Sequence, residues 1–88
     1  MMDEIESRLK KALNPEYIRL EDESMHHAHH KGAREHPGAG HYNLFIVANA
    51  FEGKPRIARH RLIYDALGEL MQTAIHALKI DAKAPSER

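Results

Sequence analysis

What most constrains this chain is a change of hydrophobic period in its final third. Ile63, Leu67, Leu70, Met71, Ala74, Ile75 and Leu78 recur at helical spacing, which predicts an amphipathic helical region with one buried stripe. Leu78, Ile80 and Ala82 then alternate with Lys79, Asp81 and Lys83, the two-residue repeat of a half-buried strand. The switch falls at His76, so its imidazole is expected at a helix-to-strand corner, its ring at the surface and its backbone held. Upstream, His41 to Phe51 is almost continuously apolar, as expected of a strand covered on at least one face and partly on the other. Two strands joined through helix form a parallel, right-handed crossover if they are neighbours.

The remaining segments complete the plan. Ile5, Leu9, Ala12 and Leu13 mark one face of a first helix, stopped by Asn14-Pro15. Tyr17 to Asp22 alternates, with Ile18 and Leu20 inward, and reads as a strand ended by Asp22-Glu23-Ser24. Met25 to Gly40 has no apolar period and carries three glycines, one proline and five histidines, so residues 25–40 read as a flexible His-rich loop. Glu52-Gly53-Lys54-Pro55 is a turn leading into the second helical region, with a possible break near Gly68. The predicted order is α-β-β-α-α-β, an α+β domain over residues 1–88 with a mixed three-stranded sheet, helices packed on one face and a polar tail at 84–88. Only about 60–65% of the unfolded surface of so short a chain is buried on folding, so the core is small.

Charge and residue usage narrow the function. Thirteen basic and thirteen acidic residues cancel, so no global field draws the chain to nucleic acid or anionic membrane. No apolar run approaches the roughly 18–20 residues that span a bilayer. The acidic start Met1-Met2-Asp3-Glu4 has no signal-like apolar core, which predicts an unexported, cytoplasmic protein. Cysteine is absent, which removes disulfides, thiolate nucleophiles and thiolate metal ligands together. Histidine is abundant, with eight residues: His26, His27, His29, His30, His36, His41, His60 and His76. Imidazole is therefore the best transition-metal ligand on offer.

Two constellations carry possible chemistry. His26-His27-Ala28-His29-His30 offers imidazole pairs that can hold a divalent metal, although a solvated loop with incidental affinity looks the same in sequence. Lys54, Arg56, Arg59 and Arg61 cluster at the start of the second helical region. They read as a phosphate-binding edge for nucleic acid, or as a plain helix start with an arginine paired to an acid. No Gly-x-x-Gly loop of the KH type is present. Neither a Gly-rich phosphate loop nor a nucleophile elbow occurs, so no enzyme is predicted.

Taken in order, Asp22-Glu23-Ser24, His41-Tyr42, Phe51-Glu52-Gly53-Lys54, Arg59-His60-Arg61-Leu62-Ile63-Tyr64 and His76-Ala77-Leu78 resemble the BolA family over nearly the whole chain. The loop, with Gly32-Ala33-Arg34, is similar to the longer histidine-bearing version of alphaproteobacterial members. The resemblance implies a class II KH-like fold and a partner, a monothiol glutaredoxin, with which a bridging [2Fe-2S] cluster is shared in iron–sulfur trafficking and iron-dependent regulation. It also implies that His76 is one cluster ligand and a loop histidine the second, His30 first and His27 next. Some bacterial members are described as DNA-binding transcriptional regulators, which gives Lys54, Arg56, Arg59 and Arg61 an alternative role. A chain without thiolates cannot hold a cluster in the all-cysteine manner. It can offer two imidazoles to one iron while the glutaredoxin cysteine and glutathione supply the sulfurs, as the family implies. Alone, it is expected to be a monomer or weak dimer without a cluster.

Overall fold

The computed structural model describes residues 1–24 and 40–88. Helix α1 spans Met2–Leu13, with Asp3 and Glu4 in its first turn and Lys10 and Lys11 in its last, charges that suit the helix dipole at both ends. Ile5, Leu9 and Leu13 follow at four-residue steps and are buried, whereas Ala12, expected on the same face, is exposed. A residue next to Leu13 is turned about 100° away from it around the helix. Asn14 closes the helix in the left-handed conformation, φ 45°, with its N–H donating to the Lys10 carbonyl.

The sheet has the order β1-β2-β3, with β1 at Tyr17–Asp22, β2 at Gly40–Val47 and β3 at Ile75–Lys83. β1 and β2 are antiparallel, from Tyr17 opposite Val47 to Asp22 opposite Tyr42. β2 and β3 are parallel, joined through α2 (Arg56–Leu67) and α3 (Leu70–Thr73). This is the expected α-β-β-α-α-β order and mixed three-stranded sheet. The break at Gly68 is real: its φ of 54° with ψ −128° is a conformation that side chains strain to adopt. One sheet face, carrying Leu20, Tyr42, Leu44 and Ile46, packs against Ile5 and Leu9 of α1 and Ile63 and Leu67 of α2. On the opposite face Tyr17 meets Phe45 edge-on at 5.7 Å, and the Arg19 guanidinium lies 5.2 Å from the Phe45 ring centre.

Two boundaries differ from the sequence expectation. β3 begins at Ile75, before the predicted switch at His76, because Ile75 serves both periods and already pairs with Gly40. The apolar run from His41 is strand only to Val47; a 3-10 turn over Asn49–Phe51 then carries Phe51 into the core. That turn is closed by the Phe51 N–H donating to the Ala48 carbonyl.

Two arginines fasten the ends of the helices. Arg8 donates to both carboxylate oxygens of Glu69, at 3.0 and 2.7 Å, and to the Leu67 carbonyl at 3.0 Å. Arg59 donates to both oxygens of Glu87, at 2.6 and 2.8 Å, and to the carbonyls of Ala82 (3.0 Å) and Lys54 (2.8 Å). The expected polar tail is thus a 3-10 turn, Pro85–Glu87, tied at Glu87 and, through the Ser86 hydroxyl, to Glu52. Hydrogen bonds from Arg8 and Arg59 draw the carboxyls of Glu69 and Glu87 each down to about 2 from 4.5. A lowered folded pKa contributes stability that is present above the unfolded value and lost as pH falls through the folded one. The stability gap between the native chain and a Glu69→Gln/Glu87→Gln variant is therefore expected to hold above pH 4.5 and to close toward pH 2. Thermal melts across that window measure it; a constant gap would show that these carboxylates contribute nothing to acid sensitivity.

Candidate metal centre at the start of the third strand

The site is built by two local devices. The first is an Asx turn at the end of β1: the Ser24 N–H donates to the Asp22 carboxylate at 2.9 Å, and the Ser24 hydroxyl accepts the His41 N–H at 3.1 Å. The Glu23 N–H in turn donates to the His41 carbonyl at 2.7 Å. His41 is thereby held by its backbone from both sides. The Asp22 carboxyl is lowered chiefly by its hydrogen bonding to Ser24, so it stays ionised and keeps the turn closed.

The second device is a bulge. Gly40 is opposite Ile75 but His41 is opposite Ala77, so His76 is the extra residue in β3. A bulge re-aims the side chain it carries. Here the His76 ring comes to lie 4.8 Å from the His41 ring, centre to centre, with the planes tilted by 53°. Just before His41, Gly40 leaves room for the Tyr42 ring, with which a Cβ there would collide. Burial of Tyr42 raises its phenol above the ordinary value. His76 itself is exposed, while His41 is half-buried.

His76 thus lies just inside β3 rather than at the corner before it. His30 and His27 lie outside the described residues. The two chain ends that flank them, Ser24 and Gly40, both sit beside the His41–His76 pair, since Ser24 bonds His41 and the Gly40 N–H donates to the Ala74 carbonyl at 2.9 Å. Among the described residues no group of three or more His, Asp or Glu side chains converges on a metal position. His41 was legible as a histidine opening an apolar strand, but nothing in sequence spacing ties residue 41 to residue 76. Only the pairing register does.

The basic residues lie at the other end of β3. Lys54, Arg56, Arg59 and His60 border a cleft of about 520 Å³ with Lys83 and Glu87. Lys54, Arg56 and Arg61 are exposed, whereas Arg59 is committed to Glu87 and to two backbone carbonyls. His60 packs edge-on to Tyr64 at 6.3 Å. Among the described residues no helix is long and apolar enough to cross a membrane.

Comparison with known proteins places these features. The BolA-like protein family matches residues 9–87. SufE-like protein 1 of Arabidopsis thaliana, chloroplastic/mitochondrial, is 44% identical over 86 residues, covering 94% of this chain and 23% of that protein. Protein BOLA1, chloroplastic, of the same plant is 42% identical over 81 residues, covering 91% of this chain and 51% of that protein. The chain thus spans about a quarter and about half of these two relatives. The solved structure of BolA1 from Arabidopsis thaliana superposes with a TM-score of 0.84 at 38% identity, over 100% of this chain and 95% of that one. With the family matched over residues 9–87 and the backbone superposing over its full length on a solved BolA1 structure, this chain belongs to the BolA-like protein family.

Proposed function

We propose that this chain is a cytoplasmic adaptor that docks on a monothiol glutaredoxin and shares a bridging [2Fe-2S] cluster with it, in iron–sulfur trafficking and iron-dependent regulation. One observation carries the reading: an exposed imidazole, His76, is lifted out of β3 by a bulge in a chain that has no thiolate to offer. His76 and a loop histidine, His30 with His27 as its substitute, would hold one iron through neutral imidazole nitrogens. The glutaredoxin cysteine and glutathione would supply the sulfurs. A cluster so bound has a raised potential, and its retention is sensitive to pH because only neutral imidazole ligates.

The test is co-expression with a monothiol glutaredoxin. The isolated chain is expected to be colourless, and the mixture to be red-brown with the visible circular dichroism of a [2Fe-2S] centre. Stoichiometric iron and sulfide in the isolated chain, or a colourless mixture, would overturn the reading.

A second reading, a DNA-binding transcriptional regulator on a KH-like surface, is favoured by the exposed Lys54, Arg56 and Arg61 around the start of α2. With Arg59 engaged by Glu87, about three phosphate contacts remain on this edge, which gives a salt slope near −3 on logarithmic axes. Gel retardation over a salt series measures it, and tight, sequence-selective binding at high salt would promote this reading over the first.

A further inference from the structure

Arg59 is held from two sides that differ in kind. Its Nε–H donates to the Lys54 carbonyl at 2.8 Å and an Nη1–H to the Ala82 carbonyl at 3.0 Å, so the backbone alone fixes the guanidinium beside the end of β3. The outer edge of the fork, Nη1 and Nη2, donates to the two carboxylate oxygens of Glu87 at 2.6 and 2.8 Å. The two partners are not equally enclosed. The Arg59 side chain is 11% exposed and that of Glu87 43%, so the carboxylate can swing out to water while the arginine stays in place. The turn that carries Glu87 keeps its own anchors, because the Ser86 N–H and hydroxyl donate to Glu52 at 3.2 and 2.8 Å.

The carboxylate of Glu87 lines the cleft of about 520 Å³. Lys54, Arg56 and Lys83 line it too, and its other acid, Asp81, is 3.8 Å from Lys83. Among the described residues Lys54 and Arg56 are in no ion pair. Positive charge is therefore in excess, and the most firmly placed donor of the cleft is satisfied from within the chain. A guanidinium fork fits a phosphate as well as a carboxylate, with two N–H donors to two oxygens.

We propose that Glu87 is an internal stand-in for a phosphate group. It occupies the Arg59 fork, keeps the affinity of the cleft for phosphate low, and yields the fork to a phosphate that enters. Lys54, Arg56 and Lys83 then share the incoming charge while Glu87 turns to water. A tethered carboxylate acts at high effective concentration. A single free phosphate therefore displaces it poorly, and a row of backbone phosphates displaces it through added contacts. For DNA the inference rests on the second reading above; for free phosphate it does not, and no cluster enters into it.

The test uses the full chain with Glu87→Gln, whose oxygen can still accept the Ala84 N–H but which no longer offers Arg59 a charged partner. Asp3→Asn, at the exposed start of α1, removes one negative charge elsewhere. The probes are inorganic phosphate, followed through the Arg59 side-chain proton–nitrogen signal, and a mixed-sequence DNA duplex, followed by gel retardation over a salt series. Thermal melts accompany both. Glu87→Gln is expected to bind phosphate several-fold more tightly than the native chain, and to steepen the salt slope for the duplex from about −3 to about −4. Asp3→Asn is expected to do neither. Arg59→Lys added to Glu87→Gln keeps the charge but loses the fork, and is expected to return the phosphate affinity most of the way to native. A gain for phosphate alone supports a free phosphate or monoester as the ligand, and a gain for both probes supports a nucleic-acid backbone. An equal gain in Asp3→Asn, a gain undiminished by Arg59→Lys, or no gain with either probe overturns the inference. If neither native chain nor variant retards DNA, the second reading fails, and the phosphate titration still decides the role of Glu87. If Glu87→Gln does not fold, Glu87→Asp decides it: one methylene shorter, its carboxylate loosens the pair, and an unchanged phosphate affinity there overturns the inference.

Discussion

Replacement of His76 by alanine is expected to leave the fold intact and to abolish the cluster spectrum of the mixture with glutaredoxin. The side chain is exposed, so its removal costs no more than about 1 kcal/mol of stability. On the proposed function, docking of the cluster-free partner is expected to survive the change. The loop histidines behave differently because several can substitute for one another along one segment. His30→Ala weakens the cluster and shifts its visible circular dichroism, while replacing His27 and His30 together destroys the native signature. His26 and His29 matter little, and His36 least. A wild-type spectrum from His76→Ala would remove His76 from the ligand set. An unchanged spectrum from His30→Ala, with His27→Ala removing it, would move the second ligand to His27.

The second large effect is on stability. Phe51 is fully buried, and it reaches the core from a 3-10 turn held by its own neighbours. Truncation of a buried phenylalanine to alanine costs about 3–5 kcal/mol, through lost transfer energy and an unfilled cavity. At about 0.05–0.15 kcal/mol per residue, this 88-residue chain holds roughly 4–13 kcal/mol in total. Phe51→Ala is therefore expected to remove roughly a quarter or more of the stability. Urea unfolding should show a midpoint lowered by a similar fraction at an unchanged slope. A loss below 1 kcal/mol would mean that the site collapses around the gap.

Element order and sheet class were legible because each rests on a local pattern: Ile5, Leu9 and Leu13 on one helix face, Leu78, Ile80 and Ala82 on one strand face, Gly68 at the break. What could not be read depends on pairs distant in sequence. Glu87 is the carboxylate that occupies Arg59, and 28 residues separate them. The start of β3 was read late because Ile75 fits either period. The bulge at His76 is a property of two strands in register, and neither strand alone encodes it. His76 could be singled out by its place in a motif, whereas His41 needed the register to become its neighbour.

The central strand takes one neighbour, β1, from before it and the other, β3, from beyond two helices. During synthesis β1 and β2 can pair as soon as both have left the ribosome, but β2 must wait for β3. A parallel partner that closes a long crossover joins slowly, because the entropy of closure comes before any contact rewards it. His41 therefore exists in a nascent chain well before His76 stands against it. A chain stalled between the two strands carries the loop histidines but lacks the His41–His76 pair. On the proposed function, cluster sharing would therefore await completion of the last strand.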